Sequence, residues 1–317
     1  MTEELEIPFL TVLNELGAAE PLPIEQLYRL SDLSADGFAA FCEWWPHLAD
    51  ERRRVFMRHL TEISEENFAV DFAPIFAYGM KDVYAPVRHA ALDGVWDATD
   101  VSLVKPIIAA MQTDASDEVR AAAAAALGHY VLLAEWGQLP SRISPSIVDA
   151  LLAAYENEET AVPVKRAALE ALGAANHPRV AQLIEQAYED RYFEMQLSAV
   201  FAMGGSADDR WLPIILDEME NQAEEMRVEA ARAAGSIGGS DAVEALANLV
   251  VDNELSVAVM AVDALGQIGG DQAQSILASI LDDPDFEHLH EAVSEALEEM
   301  AILGGEVDFD WIDIDDE

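Results

Sequence analysis

Hydrophobic positions along the central chain recur at two nested periods. Within short segments they fall at helical spacing, and the segments themselves return every 31 residues: Val164–Gly173, Met195–Gly204, Met226–Gly235 and Val257–Gly266 share one ten-residue pattern. The first hydrophobic position can be followed as a column through Val55, Val87, Val119, Val164, Met195, Met226, Val257 and Leu289, in steps of 32, 32, 45, 31, 31, 31 and 32 residues. Nine residues later stand Gly128, Gly173, Gly204, Gly235 and Gly266, replaced in the flanking repeats by Ser64, Trp96 and Glu298. The glycines are expected to turn a first helix into a second, in a conformation without a Cβ penalty.

The second helices have columns of their own. Ile184, Ile215, Leu246 and Leu277, with Leu183, Ile214, Ala245 and Ile276 beside them, form a widened apolar stripe and are expected in the core. Gln182, Gln186 and Glu189 recur as Pro213, Asp217 and Glu220, as Glu244, Asn248 and Val251, and as Ser275, Ser279 and Asp282, a largely polar set that predicts the exposed face. The 45-residue step holds 14 extra residues, in which Tyr130–Leu133 extend a first helix and Gly137–Pro140 break it. Before the repeats, residues 1–49 read as a helical cap: a helix over Glu4–Leu16 ended by Gly17, a short one over Ile24–Leu30, and one over Ala35–Trp45 capped by Ser34 and stopped by Pro46. Residues 50–303 are the repeat array, and 304–317 form an acidic-hydrophobic tail after Gly304-Gly305.

The array resembles HEAT-repeat proteins, in particular the short HEAT-like repeats named after phycobilisome lyases. The motif Val-Arg-x-x-Ala-x-x-Ala-Leu-Gly is met at Val119–Gly128 and, with Lys165 for arginine, at Val164–Gly173. The resemblance implies an all-α fold, a right-handed α-solenoid of two-helix repeats. It also implies an inter-repeat hydrogen-bond ladder between the residue five before the column, Asp82, Asp114, Glu159, Asp190 or Asp252 with Asn221 the exception, and the basic residue after it, Arg88, Arg120, Lys165 or Arg227. Gln196, Ala258 and His290 depart from the basic pattern, so the ladder is expected to weaken toward the carboxyl end.

Composition changes the picture mainly through charge. The chain has 61 acidic against 17 basic residues, and residues 233–317 hold 21 acidic and no basic ones. Such a field repels phosphate backbones, so the expected partner is a protein with a basic or mixed surface, with no nucleic acid and no membrane. Salt adaptation would produce the same acidity. A single cysteine, Cys42, suits a reducing compartment, and with an acidic start that lacks a signal-like apolar stretch the expected location is the cytoplasm.

Chemistry-bearing motifs are scarce. His290-Glu291-Ala292-Val293-Ser294 has serine where a zinc helix motif needs its second histidine, and the glycine pairs after Gly235 and Gly266 recur between helices, as turns do, rather than after a strand as in phosphate loops. Cys42 reads as a small buried residue. No catalytic constellation, metal or cofactor is expected, and the reading is a non-enzymatic interaction scaffold, with a bilin-lyase-type enzyme or cofactor chaperone as the alternative that the resemblance leaves open. The partner-binding residues expected are Gln182, Glu189, Asp217, Glu220, Glu244 and Asn248 on the second-helix face, the aromatics Trp136 and Trp211, and Phe309 and Trp311 in the tail, where acids and large apolar residues alternate.

Overall fold

A computed structural model describes residues 8–303. Every regular element among them is helical, and they divide into two compact units with the boundary between Ala171 and Leu172.

The first unit opens with α1 (Phe9–Ala18), α2 (Ile24–Leu27) and α3 (Ala35–Trp44). Ser34 accepts from the Gly37 amide at 3.2 Å and so caps α3 as its sequence predicts, and Pro46 sits in the tight turn that follows. Helix α1 runs past Gly17 instead of stopping there. A Cβ on Gly17 would lie 3.2 Å from Leu48 and 3.3 Å from Trp44, so the glycine serves close packing. The repeats begin with α4 (Asp50–Glu66) and α5 (Ala73–Gly79), then α6 (Ala85–Asp93) and α7 (Val104–Thr113), α8 (Asp117–Glu135) and α9 (Ser144–Glu156), and α10 (Val162–Leu172). At the entry of the array an aromatic cluster of Phe41, Trp44, Trp45 and Phe56, with centroids 5.1 Å to 6.3 Å apart, takes the place of the missing preceding repeat. Val55 is only half-buried, because Phe56, Met57 and Leu60 fill the core there instead.

Helix α8 shows how local sequence sets an element. Ser116 caps its start, Asp117 and Glu118 complement the positive end of the helix, and the alanine run 121–126 has the highest helix propensity available. Residues 128–135 prolong it as expected, and it stops where Gly137 takes φ +72°. The 14-residue insertion is therefore a longer first helix plus a longer connection.

The second unit holds α11 (Val180–Tyr188), α12 (Phe193–Gly205), α13 (Leu212–Glu218), α14 (Glu224–Ile237), α15 (Ser240–Leu249), α16 (Leu255–Ile268), α17 (Gly270–Leu281) and α18 (His290–Leu303). First helices α12, α14, α16 and α18 contact their neighbours in succession, with the second helices α13, α15 and α17 between them in sequence. The column residues Met195, Met226, Val257 and Leu289 are buried, as are Ile184, Ile215, Leu246 and Leu277 of the second helices.

Apart from Gly173, the glycine column does not make turns. Gly128, Gly204, Gly235 and Gly266 lie inside α8, α12, α14 and α16, and Gly173 follows α10 directly. A Cβ built on each would meet the backbone of an alanine one repeat on: Cα of Ala171 at 3.3 Å, Ala202 at 2.9 Å, Ala233 at 2.7 Å, Ala264 at 3.0 Å and Ala296 at 3.3 Å. The column marks where successive first helices cross too closely for any side chain. The turns are made instead by Gly238-Gly239 and Gly269-Gly270, whose φ values run from +67° to +96°.

Candidate functional site

Each first helix from the second repeat on is entered through a turn of one design. An Asp or Asn side chain accepts from the amide two residues on, which fixes the chain direction before the helix starts. The pairs are Asp82 to Tyr84, Asp114 to Ser116, Asp190 to Tyr192, Asn221 to Ala223 and Asp252 to Glu254, each at 2.9 Å, with Asp283 to Asp285 at 3.0 Å. In the repeat after the insertion Asn157, not the expected Glu159, does this, accepting from the Glu159 amide at 3.0 Å. The extra residues shift the turn by two positions. Asn221, the exception in sequence, fills the same role as the aspartates.

The ladder is built on these turns. Arg88 reaches Asp114 through two hydrogen bonds of 2.7 Å and 2.8 Å while donating to the Asp82 and Val83 carbonyls. Arg227 does the same to Asp252, at 2.8 Å and 2.9 Å, and to the Asn221 and Gln222 carbonyls. Burial works to raise the Asp114 carboxyl, but the Arg88 and Ser116 hydrogen bonds outweigh it and hold the group below the usual carboxylate range. At Asp252 the Arg227 hydrogen bond is the main cause of the same depression. Arg53, 4% exposed, starts the series with Asp82 at 2.9 Å, where Trp45 also donates at 2.8 Å. The ladder does not fade steadily toward the carboxyl end: Arg120 bonds the Met111 carbonyl of the preceding helix and Asp117 of its own, not an acid of the next turn, whereas the later Arg227 rung is complete. At Gln196 the side-chain amide keeps only the carbonyl contact, to Asp190 at 2.8 Å.

The expected second-helix face is exposed. Gln182 and Glu189 on and after α11, Asp217 and Glu220 on and after α13, and Glu244 and Asn248 on α15 all face solvent, as do Ser275, Ser279 and Asp282 at the next repeat. The spacing i, i+4, i+7 puts each set on one side of its helix, opposite the buried column. Behind this face Tyr188 donates to Glu218, whose other oxygen accepts from Asn221 at 2.6 Å; burial, then that hydrogen bond, push the Tyr188 phenol up to about 12.

The aromatics separate. Trp136 is 65% exposed at the end of α8, whereas Trp211 is 3% exposed. Trp211 is a core residue beside Leu212 and cannot anchor a partner, so it leaves the expected set. Phe309 and Trp311 lie outside the described residues. Cys42 is half-buried rather than fully buried, and burial raises its thiol. His288 is exposed against Phe286, and no group of three His, Cys, Asp or Glu side chains able to hold a metal occurs among the described residues.

One feature escaped the sequence reading. A cavity of about 530 Å³ opens between α4, α6 and α8, lined by Arg54, Arg58, His89, Asp93, Ser116 and Glu118 over an apolar floor of Ala85, Pro86, Ala90 and Val119. Its basic side chains are paired, Arg54 and Arg58 with Glu51 and Glu62 outside the lining and His89 with Asp93 inside it, whose hydrogen bond raises the imidazole. The signal available in sequence was the run Arg52-Arg53-Arg54 followed by Arg58, the densest basic stretch in an acidic chain. Arg52 and Arg53 are spent on structure, Arg52 donating to the Leu16 and Ala19 carbonyls.

A sequence profile described as HEAT repeats matches residues 104–204 and 212–298. No curated protein matches the chain in sequence. Among solved structures the chain is similar to YibA of Escherichia coli, at 15% identity over 95% of this chain and 99% of that one, TM-score 0.41. It is similar to human deoxyhypusine hydroxylase, solved in complex with glycerol, at 16% identity over 92% and 98%, TM-score 0.36. It is also similar to yeast importin-beta (Kap95p), at 15% identity over 92% of this chain and 46% of that one, TM-score 0.47. The profile spans more than half of the residues, in the stretch where column, turn and ladder recur, and the chain belongs to the HEAT-repeat family.

Proposed function

We propose that the protein is a non-enzymatic interaction scaffold that binds a basic or mixed-surface protein through the exposed faces of α11, α13 and α15. The observation that carries this reading is the contrast along those helices. One side is a buried apolar column that holds the repeats together, and the other is an ordered, solvent-facing series of Gln182, Glu189, Asp217, Glu220, Glu244 and Asn248 whose spacing the repeat fixes. A fixed array of carboxylates and amides presents a field and hydrogen-bond groups with little ordering cost on association. Trp136 offers an exposed aromatic contact in the other unit. The chain's excess of acidic over basic residues sets the sign of the partner.

The test is affinity purification of the tagged full chain at low and high salt, with a charge-reversed form, Glu189→Lys, Asp217→Lys, Glu220→Lys and Glu244→Lys together, run in parallel. A stoichiometric basic partner retained by the wild type and lost by the reversed form supports the reading. An unchanged set of bound proteins, or none at either salt, overturns it. A bound tetrapyrrole co-purifying as colour would move the assignment to the bilin-lyase-type alternative.

A further inference from the structure

The loops that lead from each second helix to the next first helix in the second unit form an edge that adjoins the second-helix face and shares Glu189, Glu220, Val251 and Asp282 with it. Four of them, residues 189–194, 220–225, 251–256 and 282–287, hold twelve carboxylates and a single cation, Arg191, whose guanidinium lies 4.5 Å over the Tyr192 ring. Set among these acids are large apolar side chains open to solvent: Val251 at 67%, Leu255 at 56%, Tyr192 at 46% and Phe193 at 37% exposure. Single exposed apolar residues need no explanation, but here Phe193 and Leu255 take the same position two repeats apart, each with a second apolar side chain, Tyr192 or Val251, in the same loop. Phe193 and Leu255 are the first residues of α12 and α16, with Glu224 in the same place on α14 between them.

The row is rigid. All four loops carry the same Asp or Asn turn, Arg227 ties the second to the third by holding Asp252 together with the Asn221 and Gln222 carbonyls, and Ser256 donates to Glu224. Neighbouring helices pack about 8–10 Å apart, so Phe193 and Leu255, two helices apart, stand about 16–20 Å from each other. That span is three to four turns of a helix at about 5.4 Å per turn. An extended strand would look for free backbone amides, and the loop amides at Tyr192, Ala223, Glu254 and Asp285 are already bound to the turn carboxylates and amide. A helix satisfies its own backbone and needs only side-chain contacts.

We propose that this loop edge docks a basic amphipathic helix, its apolar stripe seated on Tyr192, Phe193, Val251 and Leu255 and its lysines or arginines on the flanking carboxylates. The docking contacts Tyr192, Phe193 and Leu255 lie outside the second-helix face, and Gln182, Glu244 and Asn248 of that face lie outside this edge.

The probe is a fluorescein-labelled peptide of about 14 residues, four turns of helix, built from leucine and lysine in a repeating Leu-Lys-Lys-Leu-Leu-Lys-Lys pattern. Its binding to the full-length protein is read by fluorescence anisotropy at about 150 mM salt, a concentration that screens exposed charges beyond about 8 Å. Oligolysine of the same length is the control for charge alone. Val251→Ser with Leu255→Ser is expected to weaken the amphipathic peptide at least tenfold, the effect of burying only about 55 Å² of their exposed apolar surface, and to leave oligolysine binding unchanged. Tyr192→Ser with Phe193→Ser should act likewise. Val251 and Leu255 are more than half exposed in the free protein, so thermal melting of their double variant should match the wild type, which separates lost docking from lost folding. Equal affinity for the two peptides, or full affinity in both double variants, overturns the proposal. Loss of binding only on replacing Gln182, Glu244 and Asn248 overturns it too, by placing the peptide on the second-helix face.

Discussion

Replacing Gly204 by alanine separates the local from the tertiary view of this chain, because the two predict opposite signs. Gly204 lies in the last turn of α12, where intrinsic propensity favours alanine over glycine by at most about 1 kcal/mol. The added Cβ would sit 2.7 Å from Cα and 2.9 Å from Cβ of Ala233 on α14. Non-bonded carbons rest about 3.5–4.0 Å apart, so α12 and α14 must separate by about 1 Å at this point. Overpacking of this kind costs about 1–3 kcal/mol, and the upper end applies because the obstacle is backbone rather than a side chain that can change rotamer. The net expectation is destabilisation by about 2 kcal/mol. Gly37→Ala is the control: in α3 the nearest atoms to its Cβ are 3.4 Å away, and stabilisation by about 0.5–1 kcal/mol is expected. Urea unfolding followed by far-ultraviolet circular dichroism reads both. Hydrogen exchange of α12 and α14 is needed alongside, because a local loss in a repeat array need not move the whole curve. A Gly204→Ala protein as stable as the wild type, with unchanged exchange in those helices, would refute the close-crossing argument.

Three further outcomes follow from the same geometry. Arg227→Ala removes a two-pronged ion pair whose side chains are only 14% and 13% exposed and should cost about 2 kcal/mol, as hydrogen bonds to charged groups do. Because the Asp252 carboxyl titrates below its unfolded value, its contribution is present above the unfolded pKa and is lost as pH falls through the folded one; the variant should therefore show a shallower loss of stability on acidification, measured by melting from neutral pH downward. Trp211→Ala should destabilise by about 3–5 kcal/mol while Trp136→Ala leaves the melting curve within about 0.5 kcal/mol of the wild type, a contrast that calorimetry resolves. In a spectrophotometric titration Tyr188 should ionise near its raised value of about 12, and Glu218→Gln, which removes the carboxylate, should bring it down; no movement would mean that burial alone sets it.

How much was legible in the chain differs from residue to residue. The buried columns, the Ser34 cap, the prolonged α8 and the polar second-helix face could be read because each depends on spacing along one helix, and burial of one face leaves a periodic trace in the amino acids. The turn at Asn157 lies two residues before Glu159, the acid expected in the ladder, because Asn and Asp act through a local hydrogen bond that an insertion can slide without disturbing the repeat. The cavity beside Arg54 and His89 left only a cluster of arginines as its sign, and two of those serve the packing of α1 and α4. Trp136 and Trp211 look alike in sequence, since nothing local tells an aromatic at a helix end whether another element covers it.

By itself the sequence determined that this is a helical repeat protein, where its helices run, and that its surface is acidic. Only the tertiary structure decided what the column glycines are for. A glycine at the end of a helix satisfies a turn and a close crossing equally well by local rules, and the choice is made by Ala233 or Ala264 approaching from the next repeat, at a distance that no property of the chain around Gly204 or Gly235 records.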